Sequence, residues 1–229
     1  MLTLFHQPLC PLSRFVRLAL GEYGLTARLV DERFWERREE FLALNPAGTL
    51  PVLIDEGQPP VPGASIIVEY IEETRAGSLP DSLMPRDPGD RVEVRRLSSW
   101  FNDKFHAEVS NPLTMERMFK RYMTVEQGGG PPDTDAIRAG RHNIRYHLAY
   151  LGWLVRTRNF LAGGRLTYAD LAAAAHLSVA DYLGDVPWSE DEAAKSWYAR
   201  VKSRPSFRPL LADTLAGLAP ATHYADLDF

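Results

Sequence analysis

The chain has 229 residues, of which 45% are hydrophobic, 24% charged and 10% aromatic; this is enough apolar mass for a folded core and enough length for two small domains, and it excludes a disordered or fibrous protein. One cysteine, Cys10, cannot close an internal disulfide. No basic leader precedes an apolar run, and no stretch approaches the roughly 18 apolar residues of a membrane helix, so the expected address is the cytosol, without membrane insertion. The formal charge of -4 is unevenly spread, with residues 1–80 at -4, 81–90 at -2, 91–165 at +6 and 166–229 at -4, and 22 of the 26 cationic side chains are arginine, suited to bidentate pairing.

In chain order, Leu2 to His6 is a short apolar strand, and Pro11 to Gly21 sets Leu12, Phe15, Val16, Ala19 and Leu20 at helical spacing before a stop at Gly24. Ala27 to Asp31 reads as a second strand, Glu36 to Leu44 as a short polar helix, and Pro51 to Ile54 as a third strand ending at Asp55. The prolines between Gly57 and Gly63 leave room for a short edge strand at most, and Ser65 to Thr74 carries Ile66, Ile67, Tyr70 and Ile71 on one helical face. This order predicts an α/β domain over residues 1–80, with helices on a small mixed sheet. Turn formers crowd Leu79 to Gly89, which makes 81–90 the expected linker. Beyond it strand signals vanish. Asp90 to Phe119, Asp135 to Arg156, Tyr168 to Leu183 and Asp191 to Lys202 show helical periodicity, predicting an all-helical domain over 91–215 and a tail over 216–229.

Three motifs carry chemistry or its scaffolding. In Asn45-Pro-Ala-Gly-Thr-Leu-Pro-Val-Leu-Ile-Asp55, Pro51 stands where a strand begins; a cis bond there turns the Leu50 backbone outward toward an extended ligand, and the alternative is a turn proline with no ligand. Cys10-Pro-Leu-Ser13 joins the first strand to the first helix. A thiol at a helix N-terminus has its pKa lowered and can act in thiol transfer; the alternative is a small apolar cap residue, and with Ser at position 13 no dithiol mechanism is available. Leu166-Thr-Tyr-Ala-Asp-Leu171 is a capping box, Thr167 with Asp170, whose loss is expected to cost about 1 kcal/mol.

Taken together, the turn with Cys10 and Ser13, NPAGTLPVLID with Pro51, the Ala64-Ser65-Ile-Ile helix start and the TYAD box resemble the cytosolic glutathione S-transferase superfamily from residue 1 to about 210. The resemblance implies a thioredoxin-like N-terminal domain followed by a helical bundle. It also implies a glutathione-like site in which the Leu50 backbone beside Pro51 meets the cysteinyl part, Ser65 holds the γ-glutamyl carboxylate, and Cys10 or Ser13 faces the thiol. Most relatives carry Glu or Asp before that serine to accept from the γ-glutamyl ammonium; here Ala64 cannot, which predicts weak or absent glutathione binding. The opening MLTLFHQPLCPLSRFVRLAL, the Ala64-Ser65 variant and the ending HYADLDF further resemble a branch of alphaproteobacterial division proteins that bind the tubulin homologue FtsZ. This implies a non-enzymatic homodimer acting on FtsZ filaments at midcell. The alternative is a glutathione-dependent transferase or thiol reductase using Cys10 or Ser13.

Two arginine stripes, Arg138, Arg141 and Arg145 on one helical face and Arg91 and Arg95 on another, suit an acidic protein partner or form ordinary solvated faces. The tail after Pro220 alternates acidic and apolar residues. It reads either as a docking peptide for a second division protein, with Tyr224, Leu227 and Phe229 as anchors and Asp226 and Asp228 giving selectivity, or as a tail folded back on its own domain. The six histidines show no metal-ligand spacing, there is no P-loop, GxGxxG or GxSxG, and the acidic balance disfavours nucleic acid.

Overall fold

The computed structural model describes residues 1–76 and 82–227. Strand β1 (Leu2–His6) alternates Leu2, Leu4 and His6 with Thr3 and Phe5, and all but Phe5 are buried, so it belongs inside the sheet. It pairs in parallel with β2 (Ala27–Asp31), Leu2 opposite Ala27, and antiparallel with β3 (Val52–Asp55), Leu2 opposite Asp55. The proline-rich stretch contributes only β4 (Val61–Pro62), giving the order β2-β1-β3-β4. Helices α1 (Pro11–Glu22) and α3 (Ala64–Ile71) bury Phe15, Val16, Ile67 and Ile71 in one core with Leu4 and Leu53. Phe5, directed to the other face by the strand's alternation, meets Phe41 of α2 (Glu39–Leu44) with ring centroids 6.0 Å apart.

The helix predicted from Glu36 onward starts later. Phe34–Glu36 forms a single 3₁₀ turn, and Arg37, at φ 47°, breaks the run before α2 begins. The expected linker is also shorter than read. Asp87 caps α4 (Pro88–Ser99) by accepting from the Gly89 and Asp90 amides at 2.8 and 3.1 Å, so the helical domain begins inside 81–90, while residues 79–81 of the turn-rich segment lie outside the described residues. The periodicity predicted as one helix from Asp90 to Phe119 is realised as α4, a π-helical stretch over Trp100–Ser110, and α5 (Asn111–Arg117).

Helices α6 (Thr134–Thr157), α7 (Tyr168–Tyr182), α8 (Glu192–Lys202) and α9 (Arg208–Leu211) complete the bundle. The alanine-rich α7 is buried at every position because it is packed between α1 on one side and α4 and α8 on others. Its capping box forms as expected, and Asp170 does more than cap. Besides the Thr167 amide and hydroxyl, both at 3.0 Å, its carboxylate accepts from the Leu161 amide at 2.9 Å and the Trp197 indole at 3.0 Å. Among the described residues no helix is long and apolar enough to cross a membrane.

The tail departs from the docking-peptide reading at its first anchor. The Ala221 amide donates to the Tyr182 carbonyl at 2.9 Å, and the Tyr224 side chain is buried against Tyr182, so Tyr224 is a core residue and offers nothing to a partner. Asp226 and Leu227 are exposed; Asp228 and Phe229 lie outside the described residues.

Candidate functional site

The β1–α1 turn, the start of β3 and the start of α3 converge where the sequence placed a glutathione-like site. The Leu50–Pro51 bond is cis, and the Pro51 carbonyl accepts from the Gly63 amide at 2.9 Å, which ties the residue before β3 to the N-cap of α3. Gly63 holds φ 92°, a conformation that favours glycine, and so lets the chain turn directly into Ala64 and Ser65. Ser65 is exposed in the first turn of α3, Ala64 is buried, and that turn contains no acidic residue. The frame that would hold a peptide-like ligand is therefore present, and the acceptor for its ammonium group is missing. The residues do not fit glutathione.

Cys10 is the N-cap residue of α1, and its surroundings reverse the expected direction of its pKa. The thiol packs with the cluster of Phe41, Leu50 and Val52, and burial pushes it up; the Ser13 hydroxyl, the Ser13 and Leu12 amides and the Arg14 charge all favour the thiolate but do not overcome desolvation. The helix N-terminus reaches the sulfur as the spacing implied. What the sequence could not convey is the apolar cluster against which the half-buried thiol packs. Ser13 is fully buried and accepts from the Gln7 amide at 3.4 Å, so its hydroxyl serves the turn.

Periodicity also missed the aromatic cluster beside this site. Phe34 and Trp35, in the turn after β2, meet Phe119 of the helical domain in a three-ring cluster with centroid separations of 5.0 to 5.5 Å. Phe34 also packs on the Phe41–Leu50 cluster that holds Cys10. The rings fill space between the two domains next to the thiol. The only available signal was the Phe34-Trp35 pair, and its partner lies 84 residues further on.

Arg14, one turn after Cys10, is the other residue that local pattern could not identify. It has no exposed surface, and its five donor contacts reach Pro8 O at 2.7 Å, Ser178 Oγ and Tyr224 Oη at 2.9 Å, and Leu210 O and Asp213 Oδ2 at 3.1 Å. Arg17 adds a bidentate pair to Asp213 at 2.7 and 3.1 Å. These bonds join α1 to α7, α9 and the tail.

The arginine stripes are engaged within the chain. Arg138 pairs with Asp135, Arg141 with Asp185 and Arg145 with Glu190, each at 2.7 Å; Asp185 is shared with Arg117. Arg95 makes a bidentate pair with Glu69 at 2.9 and 3.2 Å, and Arg91 donates to the Pro85 carbonyl at 3.2 Å. Arg95, Arg138, Arg141 and Arg145 stay exposed while pairing with carboxylates of the chain, three of them distant in sequence and Asp135 one turn away. No group of three or more metal-ligating side chains gathers among the described residues.

A thioredoxin-like sheet with a cis-proline before β3, followed by a helical bundle with a buried capping box at the start of α7, is the architecture of the families this chain matches. Residues 9–74 match the model of the glutathione S-transferase N-terminal domain, and residues 115–205 match that of the C-terminal domain. FtsZ-localized protein A of Caulobacter vibrioides is 50% identical over 230 residues, covering 99% of this chain and 98% of that protein. The chain belongs to the glutathione S-transferase family. Among solved structures, a glutathione S-transferase from Sinorhizobium meliloti is 54% identical with a TM-score of 0.98, covering 100% of both chains. FzlA from C. crescentus is 50% identical with a TM-score of 0.91, covering 100% of this chain and 99% of that one.

Proposed function

We propose that this protein is a cell-division protein that binds FtsZ and modulates the bundling or curvature of its filaments at midcell, using the transferase fold as a binding scaffold. The observation that carries this reading is the 50% identity, across nearly the whole of both chains, to a protein named for its localization with FtsZ. The raised pKa of Cys10 and the missing acceptor at Ala64 support it, because a binding protein has no need of a reactive thiol or a complete glutathione site. We propose a cytoplasmic homodimer, since two copies related by a two-fold axis present two equivalent filament-binding faces and can bridge or bend a polymer. A second division partner for the exposed end of the tail, Asp226 and Leu227, belongs to the same proposal.

Co-sedimentation with FtsZ polymerised by GTP tests it. The protein is expected in the pellet with polymer and in the supernatant without it; protein left entirely in the supernatant refutes the reading. A second reading, a glutathione-dependent transferase or thiol reductase, is favoured by the retained cis-Pro51 frame and Ser65. Retention on immobilised glutathione, with turnover of an electrophilic substrate that is lost in Cys10→Ala or Ser13→Ala, is the outcome that supports it.

A further inference from the structure

Strand β2 is an edge strand: β1 pairs with one side of it, and no described strand pairs with the other. Its five residues run in unbroken register with β1 and contain neither a bulge nor a proline, so of the devices that protect an open edge it carries only charge, Arg28 and Asp31. Leu29, 46% exposed, stands on this edge. Beside it lies a cleft of about 340 Å³ lined by Leu20, Leu25, Ala27, Leu29, Pro209 and Leu210. Ala27 and Leu29 face this cleft, so the pleat directs Arg28 to the opposite face.

The charges around the edge are asymmetric. Arg28, and Arg208 next to Pro209, are exposed, and neither forms an ion pair with a described residue. The nearby carboxylates are occupied, Glu22 by Arg204 at 2.7 and 2.6 Å and Asp213 by Arg14 and Arg17. Asp31, at the far end of β2, is exposed and confines the positive stretch to the Ala27–Leu29 half.

We infer that the free edge of β2 and its cleft take up an extended acidic peptide of a partner protein as an additional strand. Backbone pairing supplies the generic part of the recognition. The period of two supplies the specific part: apolar side chains of the peptide enter the cleft beside Leu29, and the alternating carboxylates face Arg28, with Arg208 at the rim. The inference is independent of FtsZ binding.

The test uses the full chain and a fluorescein-labelled synthetic peptide of alternating leucine and glutamate, with binding read by fluorescence anisotropy. Leu29→Lys and the double substitution Arg28→Glu with Arg208→Glu are each expected to weaken binding by about 10-fold or more, as is N-methylation of alternate peptide amides. A leucine–lysine peptide is expected not to bind. In ¹⁵N spectra the β2 amides are expected to shift on addition of the acidic peptide. All three substituted residues are exposed, and circular dichroism checks that the variants fold. Binding that is indifferent to N-methylation, binding that is unchanged in the variants, or no binding overturns the inference. So does a peptide-independent dimer that Leu29→Lys converts to monomer, because the edge is then a contact between copies.

Discussion

Cys10 and Arg14 stand one helical turn apart at the start of α1, the first half-buried and the second fully buried, and desolvation disfavours the charged form of both, yet only one of them keeps its charge. Around Cys10 the Ser13 hydroxyl, the Ser13 and Leu12 amides and the Arg14 charge favour the thiolate, but desolvation against Phe41, Leu50 and Val52 outweighs them and the thiol is held in its neutral form. Around Arg14 burial alone would lower the guanidinium pKa, but Tyr224 and Asp213 outweigh it and the group stays charged. Position at a helix N-terminus does not by itself make a reactive group. What decides is whether stabilisation of the charged form by the neighbours exceeds the cost of desolvation, which it does at Arg14 and does not at Cys10.

The strongest way to break the comparison is to remove the arginine. Arg14→Met leaves Asp213 without one of its two cations and strands the Ser178, Leu210 and Pro8 acceptors. Truncating one partner of a buried pair costs about 3–5 kcal/mol, so chemical denaturation should show a loss of that size. If the protein does not fold, Arg17→Met, which removes only the half-buried pair to Asp213, is expected to give a smaller, measurable loss.

A second prediction extends the comparison to other buried titratable groups. Burial lowers the pKa of His6 to about 4 and also lowers those of His106, His147 and His176. In the unfolded chain these groups take up protons near pH 6.5, while the folded protein resists, so stability is complete above that pH and falls as pH drops toward the folded values. For His6 the loss at pH 5 is about 2 kcal/mol. Thermal melts should show the midpoint falling between pH 7 and 5, less steeply in His6→Gln.

The thiol prediction is a rate. Cys10 should react with a maleimide at pH 7.5 at least ~10-fold more slowly than free cysteine, and Cys10→Ala should leave co-sedimentation with FtsZ unchanged. Labelling as fast as free cysteine would contradict the raised pKa. The smallest effect is expected at Arg138, whose pair with Asp135 is exposed on both sides: Arg138→Ala should shift stability by less than ~0.5 kcal/mol.

Much of the scaffold was legible in the sequence because it is written locally. The strands Leu2–His6 and Ala27–Asp31, the helices starting at Pro11 and Tyr168, the Thr167–Asp170 box and the short edge strand among the prolines all follow from spacing, caps and breakers within a few residues. The candidate site was only half legible. Pro51 and Cys10 lie where the motifs implied, but the thiol packs against Phe41, Leu50 and Val52, about 30 to 40 residues further on, which no local pattern links to it. The arginine stripes were visible as arginines, whereas their partners Glu69, Asp185 and Glu190 lie 26 to 45 residues away and became visible only with the tertiary structure. Tyr224 failed as a docking anchor for the same reason: an aromatic residue in an acidic segment looks exposed until its hydroxyl finds Arg14 at a separation of 210 residues.

That arrangement has a consequence during synthesis. Four of the five acceptors of Arg14 lie at or beyond residue 178, so while the ribosome is still making the helical bundle, α1 carries a cation whose acceptors do not yet exist. The N-terminal sheet can gather early, but α1 cannot settle permanently until Leu210, Asp213 and Tyr224 have emerged. A chain that ends before those residues leaves the Arg14 guanidinium with only the Pro8 carbonyl, so the N-terminal domain and the end of the bundle stabilise each other only in the finished chain.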